Sequence, residues 1–318
     1  MAHVGAKGFR PDAMTAAAVG PLARYATLFD DIGALKRTRR AGASHSVAVG
    51  LFAHAWRRAI DGVNLGEVAR ETTALAVAAS RLGAIDGAIL ARAGLDATQR
   101  LAVVCEAFDR AAAAIPSEQR ATLRAALTGD ADLASFGDVP MFVFALADQP
   151  RAGATAPDAP RLVLEPPESH AEHCLAVCVY AVLAAPRYDT SGEDAFLLGM
   201  VHHLHNAVLP DSGFAGELLL GAHLDSIVER FTEGVLADLP QEFAARARDV
   251  RARLLPSTDE PEARAFHAGD VIDRVLQVRQ YARVAAFEMS HALDDLELVH
   301  AGPIQRFHLG VLAEAGLA

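Results

Sequence analysis

The sequence is poor in cysteine and in aromatic residues. Its 318 residues include three cysteines and one tryptophan, and only 6% are aromatic although 52% are hydrophobic. Three cysteines are too few for a disulfide framework. Cys174 and Cys178 lie one helical turn apart, and we expect them to pack as small apolar side chains. A core made mainly from alanine and aliphatic residues favours closely packed helices.

Basic charge and long apolar runs are also scarce. The chain has 29 basic and 40 acidic residues, a formal net charge of −11. This balance argues against nucleic acid as the main partner, because phosphate backbones bind basic surfaces. The longest apolar run, 174–185, is shorter than the roughly 20 residues of a spanning helix, and the N-terminus lacks a signal-peptide core. We therefore expect a cytoplasmic protein that binds neither nucleic acid nor membrane.

Helical periodicity dominates the chain. Apolar residues recur at intervals of three and four over 21–115, which is typical of amphipathic helices, while the apolar run within 137–146 is compatible with a helix or a strand. Proline, glycine and alanine dominate 149–167, which marks the clearest boundary. We predict an all-α protein with two helical domains, residues 1–150 and 151–318.

Three histidines stand within four positions. His202, His203 and His205 follow the apolar segment 195–201, and neutral imidazole is a good ligand for zinc, iron, nickel or manganese. His202 and His205 share a helix face, whereas His203 points roughly 100° away from His202. An undistorted helix cannot aim all three at one ion, so a helix end is expected here, shortly before Pro210. We assign His202 and His203 as ligands.

Other polar residues interrupt apolar helices elsewhere in the chain. His173 opens a strongly apolar segment, and Asp270 and Asp273 lie in an apolar-periodic helix. A buried carboxylate is costly unless it is paired or ligates a cation. For Asp270 the alternatives are metal ligation or a pair with Arg274, four residues on. We expect Asp273 to form a pair of that kind on the helix surface rather than to bind metal.

The order of these residues, His, then a His pair, then Asp, resembles the HD-domain superfamily of metal-dependent phosphohydrolases. The nearest branch is that of the bacterial 5′-deoxynucleotidases. Three short segments of this chain resemble its motifs: 171–177, the segment ending at Asp211, and 267–273. The resemblance covers roughly residues 161–300 and rests on these short motifs. It implies an HD-like helical domain that holds a divalent Zn, Fe, Mn or Ni ion. The ligands implied are His173, His202, His203 and Asp270.

Two positions depart from the pattern of that family. His203 stands where the family has aspartate, and Asn206 stands where the nucleotidase branch has a catalytic glutamate. An amide cannot act as a general base. The remaining candidates for moving protons are His205, Asp211 and Glu217, which lie just beyond the metal pair.

A weak internal repeat offers a second interpretation of the first half. Residues 43–53 align with 171–181, so that His45 matches His173. The first half would then be a degenerate HD-like repeat without metal, and the chain a tandem duplication. His45 has no partner motif nearby in the sequence, and we interpret it as structural.

As an enzyme, the chain would by resemblance hydrolyse a small phosphate ester or nucleotide. Three alternatives stay open. One is an HD-related iron oxygenase in which His205 or His223 serves a second iron. Another is an inactive HD-like protein that binds a ligand or acts in signalling. The third is a structural protein that forms a homodimer through its alanine-rich helices.

Overall fold

The computed structural model describes most of the chain and divides it into two compact units, Met1–Asp273 and Arg274–Ala318. The described residues are 21–133, 137–153, 155, 165–285, 305, 306, 309 and 313. Within them the regular structure is helical and no strand occurs, which confirms the all-α class. A single bridge between Pro150 and Ser169 is the one extended pairing in the described part.

The α-helices follow one another along the chain with short connections. They are α1 (Ala26–Gly33), α2 (Val47–Ile60), α3 (Leu65–Leu82), α4 (Gly87–Arg92), α5 (Ala97–Ala111), α6 (Ser117–Ala125), α7 (Met141–Asp148), α8 (His170–Ala184), α9 (Glu193–Val201), α10 (Gly213–Leu220), α11 (Leu224–Leu236), α12 (Gln241–Leu254) and α13 (Pro261–Ala285). The run 137–146 therefore contributes to a helix and not to a strand.

Helix α8 is the centre of the first unit. All 15 of its residues are buried, as expected for a helix that is apolar on every side. It begins with a capping box: the Ser169 hydroxyl accepts a hydrogen bond from the Glu172 backbone N–H at 3.2 Å, and the Glu172 carboxylate accepts one from the Ser169 N–H at 2.8 Å. Such caps stabilise a helix by about 1 kcal/mol. Cys174 and Cys178 are buried and unbridged, as expected.

Two glycines let neighbouring helices approach α8 closely. A Cβ atom at Gly199 of α9 would lie 2.7 Å from Cys178 Sγ, and one at Gly269 of α13 would lie 2.8 Å from the Val177 carbonyl oxygen. Only glycine fits such backbone contacts without a shift. These close approaches bring the three histidine- and aspartate-bearing segments of the sequence together.

Helices from both halves of the sequence pack on α8. Helices α2, α3 and α7 contact it from the N-terminal side of the chain, and α9 contacts it from the C-terminal side. The segment 149–167, where the sequence predicts a boundary, lies inside the first unit. The division into residues 1–150 and 151–318 and the tandem duplication stay predictions.

Each unit also contains a side-chain contact between polar residues outside the buried helix α8. In the first unit His45 Nε2 lies 2.9 Å from Asp148 Oδ1, a contact that fits the structural role expected for His45. In the second unit the Gln277 amide donates to the Tyr281 hydroxyl at 3.2 Å. No helix among the described residues has both the length and the apolar character that crossing a membrane requires.

Candidate metal centre

Helix α9 leads into the histidine pair and ends directly before it, as expected from the sequence. Its N-terminal N–H groups at Gly192 and Ala195 donate to the Glu262 carboxylate at 3.2 and 2.9 Å, which suits the positive end of the helix dipole. The helix stops at Val201, and a 3-10 turn follows over Leu204–Ala207. Both histidines of the pair, His202 and His203, therefore lie at a break in the helix.

His173, His202 and His203 form a cluster. Each offers one ring nitrogen, and these nitrogens lie within 4.8 Å of one another. His173 Nε2 and His202 Nε2 are only 3.3 Å apart. His173 and His202 are buried, while His203 is partly open to solvent. This three-histidine cluster could hold a metal ion.

The far nitrogen of each ring is fixed by a hydrogen-bond acceptor. His202 Nδ1 donates to the Gly199 carbonyl at 2.9 Å, and His203 Nδ1 donates to Asn206 Oδ1 at 2.9 Å. The Asn206 amide is itself oriented, because its NH₂ donates to the Leu209 carbonyl at 3.1 Å. His173 Nδ1 lies 2.7 Å from Asp273 Oδ2. Metal-binding histidines usually show this pattern, in which the second ring nitrogen donates to a carboxylate or carbonyl.

These bonds leave two Nε2 lone pairs facing each other. With both Nδ1 atoms protonated, neither Nε2 of His173 nor that of His202 carries a hydrogen to donate. Burial lowers the pKa of His202 to about 3 and lowers that of His173 well below its usual value, so a proton does not bridge them at neutral pH. Two nitrogens bound tetrahedrally to zinc at 2.0–2.1 Å lie about 3.4 Å apart. The 3.3 Å separation of the two nitrogens fits a shared cation.

Asp270 borders the cluster. Its Oδ1 lies 3.5 Å from His173 Nε2, the nitrogen that also faces His202, and its side chain is 18% exposed. It is not one of the three residues whose donor atoms lie mutually within 4.8 Å. Its role as a fourth ligand stays a prediction, although it lies on the correct side of His173.

The expectation for Asp273 is wrong. Asp273 is 1% exposed and forms no surface pair, because its carboxylate accepts from Lys36 as well as from His173. Burial raises the pKa of Asp273 to about 7 against the opposing charge of Lys36. Helical spacing alone predicted an exposed partner, whereas the packing of α13 against α8 turns this face into the core.

No sequence pattern pointed to Lys36 or Glu168 as part of the site. The buried Lys36 ammonium donates to both Glu168 and Asp273. Burial alone would lower the pKa of Lys36, but the charges of Asp273 and Glu168 outweigh it and raise the pKa. Glu168, His173 and Asp273 also form a group with metal-like spacing. We call these three residues together with Lys36 the lysine cluster. In it the Lys36 ammonium already supplies the positive charge that a metal ion would bring.

The three candidate proton-transfer residues have different surroundings. The His205 ring centroid lies 5.6 Å from that of His203, and burial lowers the pKa of His205 to about 4. Asp211 accepts hydrogen bonds from the backbone N–H groups of Ala152 at 2.9 Å and Gly213 at 2.8 Å. The nearby His170 ring and these two bonds hold the pKa of Asp211 below its usual value despite burial. Asp211 is therefore ionised and firmly held.

Glu217 and His223 lie away from such contacts. Both are exposed, on α10 and on the short turn Gly221–His223. The structure describes no side-chain hydrogen bond or ion pair from Glu217 to any described residue. Of the predicted proton-transfer group, only His205 touches the three-histidine cluster directly.

A fourth histidine lies beside the cluster. His170 is 1% exposed, its ring centroid lies 4.7 Å from that of His203, and its Nε2 lies 3.5 Å from Asp211 Oδ2. The spacing of three between His170 and His173 places both on one helix face. That spacing was the available sequence signal, and it is the same spacing that links His202 to His205.

Comparisons with known proteins give no relative. No protein-family model matches the chain, and neither the curated proteins nor the solved structures contain a match. The geometry of the site is therefore the basis for assigning a function.

Proposed function

We propose that this protein binds a divalent transition-metal ion through His173, His202 and His203, with Asp270 as fourth ligand, and uses it to hydrolyse a small phosphate ester or nucleotide. The chain would then be a divergent HD-like phosphohydrolase. One observation carries the proposal: three imidazoles converge on a common point while the far nitrogen of each is held by its own acceptor.

The donor set favours particular ions. Three imidazoles and one carboxylate suit Zn, Fe, Mn or Ni better than Mg, which prefers oxygen ligands. When bound, such an ion polarises a phosphoryl oxygen and lowers the pKa of a water molecule. A single carboxylate ligand would leave part of the ion's charge available to an anionic substrate. This matters in a chain with a net charge of −11.

The protein side chains would divide the remaining tasks. Asp273 holds His173 in the required tautomer, and Asn206 does the same for His203 instead of acting as a base. His205 has a lowered pKa, so it is neutral at pH 7 and able to accept a proton. Asp211 is ionised but engaged with two backbone N–H groups, so its oxygens are not free to act as a base. A cytoplasmic location and a homodimer stay predictions from the sequence.

Metal analysis tests the proposal. Full-length protein without a histidine tag should retain about one transition-metal ion per chain by elemental analysis, and His202→Ala and Asp270→Ala should lose most of it. His45→Ala removes an exposed histidine contact outside the cluster and serves as the matched control. Stoichiometric metal in both cluster variants would eliminate the proposed coordination.

Activity forms the second arm of the test. The metal-loaded protein should release phosphate from members of a panel of phosphate monoesters and nucleotides, and His202→Ala should not. Absence of turnover across the panel with metal present would refute hydrolysis and favour a ligand-binding role. Turnover that needs O₂ and two irons per chain would instead favour the oxygenase.

A further inference from the structure

Several buried polar atoms beside the three-histidine cluster have no hydrogen-bond partner among the described residues. They are both ring nitrogens of His170, Nδ1 of His205 and Nη1 of Arg151. Buried polar atoms are hydrogen-bonded in the great majority of cases, and an unsatisfied one costs about 1–3 kcal/mol. Such atoms concentrated in one place indicate a site for a polar ligand.

Two of these side chains, His170 and His205, lie against His203, one of the proposed metal ligands. The rings of His170 and His205 both contact the ring of His203, with centroids 4.7 and 5.6 Å away. His170 is 1% exposed, so bulk water cannot satisfy its nitrogens. His203 is partly open, which gives a small molecule access to this side of the cluster.

Arg151 brings a fixed positive charge to the same region. Its backbone N–H donates to the Glu168 carbonyl at 2.8 Å, directly before the start of α8, which carries His170. Its Nη1 lies 3.7 Å from Glu168 Oε2, too far for a hydrogen bond. The next residue, Ala152, donates its backbone N–H to Asp211 Oδ2 at 2.9 Å, and the same oxygen lies 3.5 Å from His170 Nε2, so this segment passes beside His170.

The nearby charges decide what kind of ligand fits. The charged groups around the histidines are three basic ones (Lys36, Arg151 and Arg251) and four acidic ones (Glu168, Asp211, Asp270 and Asp273), which is one negative charge more than positive. A divalent ion at the three-histidine cluster would offset that excess. An anion would then meet N–H donors and a net favourable field only when the metal is bound.

We propose that His170, His205 and Arg151 form a binding subsite for the oxygen atoms of a tetrahedral oxyanion, and so hold the phosphoryl group of the substrate next to the metal. This inference rests on the proposed function, since the anion shares the site with the ion. Asp211 Oδ2 lies 3.5 Å from His170 Nε2 without forming a hydrogen bond, so the neutral ring keeps its N–H for the anion.

Titration of inorganic phosphate into the full-length, Zn²⁺-loaded protein tests the subsite. Calorimetry should give a phosphate dissociation constant that rises at least about tenfold in Arg151→Gln and in His170→Gln, because each loses a donor to the anion. Metal content should stay at the wild-type level in both. Arg110→Gln, which removes an exposed arginine paired with Glu106, and His45→Gln are the matched controls.

The outcomes separate the two proposals. Wild-type metal content with unchanged phosphate affinity in both variants would overturn the subsite and leave the metal centre intact, and so would metal-loaded wild-type protein that binds no phosphate. Protein that binds neither metal nor phosphate would overturn both. If His170→Gln does not fold by circular dichroism, Arg151→Gln and the partial recovery expected in Arg151→Lys decide the question.

Discussion

Two clusters in the first unit share His173 and use it differently. At its Nε2 the ring faces His202 Nε2 at 3.3 Å and Asp270 Oδ1 at 3.5 Å. At its Nδ1 the ring meets Asp273, which the Lys36 ammonium also binds together with Glu168. One side of the imidazole thus belongs to a cluster of neutral donors and the other to a cluster of paired charges.

The difference follows from the cost of burial. Buried carboxylates require a cation at all times, because an isolated buried charge is strongly disfavoured, and the fold therefore includes Lys36. Imidazoles avoid that requirement by staying neutral, as the lowered pKa values of His173 and His203 indicate. The lysine cluster is complete with the protein's own groups, while the three-histidine cluster is suited to an external cation.

Among the single substitutions, removing the lysine should give the largest effect. Lys36→Met leaves Glu168 and Asp273 buried without their ammonium, and breaking a buried pair costs about 3–5 kcal/mol. Denaturant unfolding followed by circular dichroism should show a loss of that size in the free energy of unfolding. Arg110→Met, at an exposed pair, should cost less than about 1 kcal/mol. Equal losses of unfolding free energy in the two variants would show that the lysine cluster does not stabilise the protein more than an exposed ion pair does.

Asp273→Asn should uncouple the two clusters. The amide retains the shape of the carboxylate but holds the His173 Nδ1–H less strongly, and loss of such a supporting partner typically weakens metal binding by about 10–100-fold. Competition with a chelator measures the change. Asp148→Asn, which alters the corresponding contact of His45, should leave metal affinity unchanged. An unaltered affinity in Asp273→Asn would contradict the supporting role.

The stability of the metal-free protein should also depend on pH, because its buried histidines are neutral in the folded state. Histidines with lowered pKa values in the folded protein, among them His202 at about 3 and His205 at about 4, take up protons on unfolding below their usual pKa of about 6.5. Stability of the metal-free protein should therefore fall as pH decreases from about 6.5 to about 4. Each such proton contributes about 1.4 kcal/mol per pH unit.

One group opposes this trend. Burial raises the pKa of Asp273, so as the pH falls this carboxylate takes up a proton in the folded protein before it does so in the unfolded chain, which partly offsets the histidines. Denaturant unfolding at pH 7, 5.5 and 4 measures the net slope, and His205→Gln should reduce it. A slope that is flat or reversed in the wild-type protein would contradict neutral buried imidazoles.

Much of the site was recognisable from local patterns. His202 and His203 follow an apolar helix, and the helix ends there as their spacing requires. His173 opens a buried helix with a capping box that Ser169 and Glu172 supply. The resemblance to HD domains and the choice of Asp270 stay predictions, since no comparison supports the resemblance and Asp270 Oδ1 lies 3.5 Å from His173 Nε2 without belonging to the group of mutually close donor atoms.

The sequence alone determined the helical class and the segments that carry imidazole, because periodicity, caps and helix ends depend on neighbours within a few residues. The tertiary structure decided which charges meet. Lys36 reaches partners 132 and 237 residues away, and Asp273 reaches His173 across 100 residues. Whether Asp273 is exposed or buried depends on which helix packs over it. Close approach at Gly199 and Gly269 settles that packing, which no local pattern encodes.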